Sequence, residues 1–255
     1  MEMESLIFAK KKAMSQPVTP YDDRSRGKKQ QVTEMFDTIS KEYDGLNRVI
    51  SFGIDLRWRK KVIQWVASFS PDTVLDIATG TGDLAVALCK TTASKIVGLD
   101  ISPGMLAVGK QKVKDHKAEN RVSMILGDGE KLPFQDAHFD VVTIAFGVRN
   151  FENLNQGLSE VYRVLKKNGA LVILETSVPT NPLFKLGYFF HTRLLLPLIG
   201  RVFSKDKVAY SYLSESAAKF PFGDAFNNIL QKNGFTQTKH YPQTMGVATI
   251  YVARK

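Results

Sequence analysis

The chain has one cysteine, Cys89, in 255 residues, so it can form no internal disulfide. With four histidines and no Cys or His cluster, it also lacks the ligand spacings of a metal site. A reducing compartment is compatible with this. Acids are in short supply too: 25 against 35 basic residues, for a net charge of +10. That excess points to an anionic partner, whether nucleic acid, acidic membrane surface or anionic small molecule, or else to surplus lysine on a solvated face. No apolar run reads as a membrane span. The greasiest stretch, from Leu183 to Phe203, is interrupted by Lys185, His191, Arg193, Pro197 and Gly200. Nor does the start read as a targeting peptide, since Glu2 and Glu4 fall in the first dozen residues. Met14 follows Lys10-Lys11-Lys12, and the residues before it read as a vector-derived or upstream extension outside the fold.

What is present centres on Val74-Leu75-Asp76-Ile77-Ala78-Thr79-Gly80-Thr81-Gly82-Asp83. A short apolar run ends in a turn of Thr and Gly, and an apolar helix follows from Leu84. This is the pattern of a buried parallel strand delivering its end to a tight loop that opens a helix. Gly80 and Gly82 clear room for a ligand against the backbone, and the helix start offers unpaired N–H groups. Gly80-x-Gly82-x-x-Ala85 with Asp100 also fits the dinucleotide fingerprint, which alone is a weak signal. Three features favour S-adenosyl-L-methionine over NAD. Asp76 precedes the glycines, placed to accept from a methionine ammonium directly or through water. The unit lies some seventy residues into the chain. Asp128, with Gly129 behind it, follows the third strand, where an adenine amine needs an acceptor.

Around that loop, strands are expected at 73–77, 95–100, 122–127, 139–145 and 170–176, with helices at 83–91, 103–116 and 153–166. The alternation implies a mostly parallel sheet with right-handed crossovers. Asp100, with Ile101 next to it, ends the second strand, where an acid binds both ribose hydroxyls. Residues 1–30 read as a disordered arm or non-native extension. A helix is expected from Gln31 to Tyr43-Asp44-Gly45, with Val32, Met35, Phe36 and Ile39 on one face, broken by Gly45 and Asn47. A second, near 55–68, turns Leu56, Val62, Ile63 and Val66 inward and leaves Arg57, Arg59, Lys60 and Lys61 as a solvated cationic face. Residues 178–221 read as one or two amphipathic helices inserted before a last helix near 223–233. The inserted helices are either a lid on the core or a wall for a greasy substrate. Two β runs, from Phe235 to Tyr241 and from Met245 to Ala253, then close the chain as an antiparallel hairpin. Such a hairpin separates the class I S-adenosylmethionine-dependent methyltransferase fold from NAD domains.

After the fourth strand come Ala145-Phe146-Gly147-Val148-Arg149-Asn150. The Asn/Asp-Pro-Pro-aromatic motif of amino methyltransferases is absent here. Cys89 is on the wrong element to serve as a nucleophile in pyrimidine methylation. Both absences weaken the nucleic-acid reading. Tyr43-Asp44-x-x-Asn47, Ser51-Phe52-Gly53 and Trp58, then Arg163-Val164-Leu165-Lys166 through Gly169 to Glu175-x-Ser177, resemble the two signatures of the UbiE/MenG family. These are the quinol C-methyltransferases of menaquinone and ubiquinone biosynthesis. The resemblance runs from about Gln31 to the C-terminus. Departures are Leu46 for Met, Asp55 for His, Ala145 for Ser, and Lys167-Asn168-Gly169 for Pro-Gly-Gly.

The resemblance implies a seven-stranded class I methyltransferase domain over 71–255, with the apolar helical insert at 178–221 and an N-terminal helical cover over 31–70. It implies methyl transfer to a ring carbon of a polyprenylated quinol, demethylmenaquinol foremost, with the benzoquinol of the ubiquinone pathway also open. Arg149, Asn150 and Tyr43 would be catalytic. Asp76, Gly80, Thr81, Gly82, Asp100, Ile101, Asp128, Gly129 and Ala145 would bind the cofactor. The protein is expected in the cytoplasm, in transient peripheral contact with the anionic inner face of the plasma membrane. No nucleic-acid partner is expected, and a homodimer is left open. Two other readings stay open: methylation of oxygen or nitrogen on another apolar acceptor, and an RNA-binding methyltransferase or silent binding module using the basic arm.

Overall fold

A computed structural model describes residues 18–21, 23–190 and 207–255, apart from the side chains of Lys207 and Tyr210. In chain order the helices are α1 (Lys28–Ile39), α2 (Tyr43–Ile50), α3 (Ile54–Ser68), α4 (Asp83–Ala87), α5 (Pro103–Asp115), α6 (Leu154–Val164), α7 (Pro182–Phe190), α8 (Lys207–Lys219) and α9 (Asp224–Lys232). The strands are β1 (Thr73–Ile77), β2 (Lys95–Asp100), β3 (Val122–Leu126), β4 (Phe139–Ala145), β5 (Leu165–Thr176), β6 (Thr236–Gln243) and β7 (Ala248–Arg254). They form one seven-stranded sheet in the order β3-β2-β1-β4-β5-β7-β6. β1 pairs in parallel with both β2 and β4, and β5 continues the parallel run. β7 enters antiparallel between β5 and β6, which makes the expected closing hairpin.

The strand order reverses between β1 and β4, so the loops beyond them diverge and leave a crevice at their carboxyl ends. The strands there are buried on both faces and read as near-continuous apolar runs. Val74, Leu75, Ile77, Val141, Val142 and Ile144 are all buried. One face packs on α3, α4 and α5 through Trp58, Val62, Val66, Leu84 and Leu106. The other packs on α6 and α9 through Leu158, Val161, Phe226 and Leu230.

Several elements depart from expectation. α1 begins at Lys28, and the stretch before it folds back, with Gln31 Nε2 donating to the carbonyls of Asp23 (2.8 Å) and Arg26 (2.9 Å). Gly45 and Asn47 do not break a helix. The break falls before Tyr43, and both residues lie inside α2, which is held at its flanks by ion pairs of Asp44 and Arg48. On α3 Val62 and Val66 are buried and Ile63 partly buried as expected, but Trp58 joins them and Leu56 is 51% exposed. Arg59 turns inward with Trp58 and does not join the solvated cationic face; its side chain is only 13% exposed. β5 starts at Leu165 and absorbs Lys167-Asn168-Gly169 as an irregularity opposite Phe139 and Val141. In the insert, α7 and α8 are helical as expected, and Leu194 to Phe203 lie outside the described residues.

Gly157 on α6 shows what positions the crevice wall. A Cβ there would meet Phe151 Cδ2 and Cε2 at 2.3 Å, and Phe151 lines the crevice. Helix propensity alone favours Gly157→Ala by up to about 1 kcal/mol. Overpacking against a rigid ring costs roughly 1–3 kcal/mol, so it should win. Chemical denaturation of Gly157→Ala should show net destabilisation, whereas a more stable variant would mean that the ring moves freely.

Candidate active site

Two cavities lie side by side at the carboxyl end of the sheet and share Tyr43 and Phe146. The first encloses about 690 Å³ over the loops beyond β1, β2, β3 and β4. Its walls are apolar where Ile77, Leu99, Ile101, Met105 and Phe151 stand, and acidic at Asp100 and Asp128. Gly80 has φ +58°, and nothing lies within 4 Å of where its Cβ would project. The floor is closed at Gly129, where a Cβ would strike Ile77 Cγ2 at 2.9 Å. Ala78 and Phe146, on the two diverging loops, both take left-handed backbone angles, with φ +52° and +59°. Non-glycine residues hold that conformation at a cost, and it persists because the surrounding structure imposes it.

Asp100 is buried, and both oxygens of its carboxylate accept from main-chain N–H groups. Oδ2 accepts from Gly80 N–H (2.7 Å) and Oδ1 from Ser102 N–H (2.9 Å). Burial raises its pKa, and the N–H groups of Ser102, Gly80 and Ile101 oppose that rise. An ionised carboxylate has about four acceptor sites, so these N–H groups leave room for a further donor. Asp128 accepts from Lys29 Nζ (2.7 Å) and Glu130 N–H (2.8 Å) at the far end of the crevice. Gly80, Asp100, Ile101, Asp128, Gly129 and Ala145 all line this cavity, as does Asn150.

Asp76, Thr81 and Gly82 do not line it. Asp76 lies beneath the loop, where Thr79 Oγ1 and Thr143 Oγ1 each donate to it at 2.6 Å. There it fixes the loop that carries Gly80. Thr81 Oγ1 donates to Asp44 (2.6 Å), tying the loop to α2. Gly82 caps α4 with φ +77°.

The N-terminal helices strap the crevice with one polar residue to each loop. Asp44 holds Thr81 beyond β1. Asp37 accepts from Ser102 Oγ (2.5 Å) and Gly104 N–H (2.8 Å) beyond β2. Lys29 holds Asp128 beyond β3. Lys28 Nζ donates to the carbonyls of Arg149 (3.0 Å) and Phe151 (2.9 Å) beyond β4. Burial, reinforced by Arg149, pulls the Lys28 pKa down to about 8. Nothing in the polar run around Lys28 marks it as buried, since its partners are main-chain carbonyls.

The second cavity encloses about 920 Å³ and is largely apolar, lined by Ile50, Trp58, Tyr188, Leu213 and Val247. Two guanidinium groups, Arg59 and Arg149, reach it. Arg149 is buried; its Nη1 donates to Glu175 Oε1 (2.6 Å) and the Phe146 carbonyl (2.7 Å). Burial works against its charge, but Glu175, with Tyr43 and Tyr212, outweighs it and holds the pKa above the ordinary arginine value. Arg149 Nε is buried without a hydrogen-bond partner among the described residues. Asn150 Oδ1 accepts from Tyr212 Oη (3.0 Å). Burial raises the Tyr43 pKa, against a hydrogen bond from Asn47 and the charges of Arg149 and Arg59, so its phenol stays protonated and donates. Tyr43, Arg149 and Asn150 therefore converge where the cavities meet. Sequence reasoning passed over Glu175 as a partner, although an acid ending an apolar strand beside the Arg149 loop was a readable signal.

Residues 24–255 match the model of the ubiE/COQ5 methyltransferase family. The chain belongs to this family. It is 42% identical over 239 residues to the demethylmenaquinone methyltransferase of Bacteroides fragilis, covering 93% of this chain and 97% of that one. It is 45% identical over 230 residues to the ubiquinone/menaquinone biosynthesis C-methyltransferase UbiE of Geotalea daltonii, covering 89% and 97%. Among solved structures, a SAM-dependent methyltransferase of Thermotoga maritima superposes with a TM-score of 0.57 at 19% identity, covering 87% of this chain and 99% of that one, a likeness of fold. The protein is thus a class I methyltransferase that uses S-adenosylmethionine. The first cavity fits that cofactor, with apolar walls for the base, the remaining acceptor sites of Asp100 for the ribose hydroxyls and the open space over Gly80. Bound there, the cofactor supplies an electrophilic methyl group.

The Asp76 carboxyl generates a pH prediction. Burial raises its pKa to about 6, only partly offset by the Thr143 and Thr79 hydroxyls. A carboxyl whose folded pKa exceeds its unfolded value stabilises the fold fully below the unfolded pKa. That contribution is lost as pH rises through the folded pKa, roughly 3 kcal/mol for a shift of this size. Between pH 4 and 6 the stability of Asp76→Asn should therefore fall less steeply than that of the parent in denaturant titrations. Parallel profiles would show that Asp76 is ionised without cost.

Proposed function

We propose that the protein transfers the cofactor's methyl group to a ring carbon of a polyprenylated quinol, with demethylmenaquinol as the principal acceptor. The observation that carries this reading is the second cavity: an apolar chamber beside the cofactor crevice with a buried, fixed guanidinium at the shared wall. The printed names of the relatives, demethylmenaquinone methyltransferase and ubiquinone/menaquinone biosynthesis C-methyltransferase, support it.

A neutral aromatic carbon is a weak nucleophile, but a ring hydroxyl that loses its proton loads charge onto the adjacent carbon. Arg149 stabilises that phenolate. Glu175 and the Phe146 carbonyl hold Nη1, which leaves the rest of the guanidinium to bond a ring oxygen and to orient a water that takes the proton. Arg149 is not itself the base, because a guanidinium kept charged by Glu175 has no free lone pair to accept a proton near neutral pH. Tyr43 and Asn150 hydrogen-bond the ring oxygens and fix the ring against the cofactor. The prenyl tail leaves toward α7, where Leu183 and Leu186 are 74% and 70% exposed, and this surface rests on an anionic membrane. Among the described residues no helix is long and apolar enough to cross a membrane.

Arg149 must be separated from its structural role, since Arg149→Ala leaves the Glu175 carboxylate buried and unpaired at a cost of roughly 3–5 kcal/mol. Arg149→Ala should lower kcat with reduced demethylmenaquinone by about a hundredfold or more while raising KM little. Adding Glu175→Gln to Arg149→Ala should restore much of the thermal stability without restoring kcat. Recovery of kcat together with stability would reduce Arg149 to a structural ion pair.

A further inference from the structure

Arg149 has a counterpart in the lining of the acceptor cavity. Arg59 enters from α3 with its Cζ 5.5 Å from the centroid of the Phe146 ring, the residue whose carbonyl Arg149 holds. Its Nε is 3.6 Å from Asp55 Oδ2, an ion pair too long for a hydrogen bond. Asp55 is served instead by Arg48 and by Ser51 Oγ, which donates at 2.7 Å. Arg59 Nε is accordingly buried with no hydrogen-bond partner among the described residues, as Arg149 Nε is. A guanidinium is always charged and carries five donors, so one that is mostly buried with donors unspent is a recognition group awaiting an acceptor atom. The remaining lining is mainly apolar, and the acid in it, Asp55, is already engaged.

We propose that Arg59 binds the second oxygen of the acceptor ring, para to the one that Arg149 charges, so that the cavity selects acceptors carrying two ring oxygens. This rests on the reading of the second cavity as the acceptor site. The two cations reach the cavity from different elements, Arg149 from the turn beyond β4 and Arg59 from α3, and each contacts Phe146 through a different part of that residue, its carbonyl and its ring. A 1,4-dihydroxy ring presents its oxygens at opposite ends and meets one cation at each. A ring with one hydroxyl leaves the buried Arg59 donor without an acceptor, which is how a site built for a hydrogen bond rejects an analogue lacking it. Planarity matters as well, because a guanidinium can keep its edge toward Asp55 while offering another to the ring, and an ammonium cannot.

The test compares two short-chain acceptors: a reduced 2-alkyl-1,4-naphthoquinone, and the matching alkyl naphthol that keeps only the hydroxyl next to the methylated carbon. The parent enzyme should favour the dihydroxy acceptor in kcat/KM by roughly 10- to 100-fold, the range of a charge-assisted hydrogen bond. Arg59→Gln should abolish that preference by losing activity on the dihydroxy acceptor alone. Its calorimetric affinity for S-adenosylhomocysteine should stay unchanged. Equal losses on both acceptors would overturn the assignment, and so would a loss of S-adenosylhomocysteine affinity, which would give Arg59 to the cofactor's carboxylate. If Arg59→Gln melts below the assay temperature, Arg59→Lys keeps a cation beside Asp55 and should lose part of the preference; an intact preference there would also overturn the proposal. A parent enzyme that methylates neither acceptor would refute the quinol reading, whereas one active on both with an Arg59→Gln of undiminished preference would refute this inference alone.

Discussion

Glu175 has no exposed surface, and the carboxylate it places at the end of β5 is tolerable there because Arg149 meets it from the turn beyond β4. Losing either partner strands a charge in a low-dielectric interior, a larger penalty than the pair's net stabilisation. The pair therefore does more for geometry than for stability. It joins neighbouring strands at the edge of the crevice and aims a permanent cation at the wall between the two cavities. It also fixes the Phe146 carbonyl, and with it a left-handed residue that could not hold its angle unaided. Lys28 adds a second cation to the carbonyls of the same turn, so the acceptor side of the site is braced from β5 and from α1 together.

The cofactor side is organised by the same kind of contact. Asp37, Asp44, Lys28 and Lys29 each reach one of the four loops beyond the parallel strands, so α1 and α2 close the crevice without joining the sheet. The contacts are polar and mostly partly buried, while the apolar side of α1 packs through Val32, Met35 and Ile39 against Met105, Ala209 and Tyr212. A cover held this way is weaker than the sheet below it and can open for ligand exchange at modest cost. Tyr43 and Phe146, common to both cavities, bring that cover and the β4 loop together at the point of transfer.

Much of this was readable in the chain. Buried parallel strands announce themselves as apolar runs, and β1 to β5 fall where those runs do, as do the acids closing β2 and following β3. Arg149 and Asn150 were readable because they follow β4, where the fold leaves an acceptor site. What misled was local propensity set against tertiary context. Gly45 and Asn47 look like helix breakers, but α2 survives because Asp44 and Arg48 are paired across to α4 and α5. The cluster Arg57, Arg59, Lys60 and Lys61 looks uniformly solvated. Val62 and Val66 stay inward as the periodicity has them, but Trp58 and Arg59 turn in and Leu56 turns out, a difference of a few positions that periodicity does not resolve. The two hydroxyl partners of Asp76 were not readable, because Thr79 and Thr143 converge on it only in three dimensions.

The central claim is that this site charges a ring oxygen so that a ring carbon takes the methyl group. The most direct measurement is the position of the transferred methyl after turnover of reduced demethylmenaquinone with S-adenosylmethionine carrying a ¹³C-methyl label. The account predicts a single aryl-methyl carbon resonance, with scalar coupling to the ring carbon adjacent to a hydroxyl-bearing one. A methoxy resonance, or no transfer to the quinol while another apolar acceptor is labelled on oxygen or nitrogen, would contradict it.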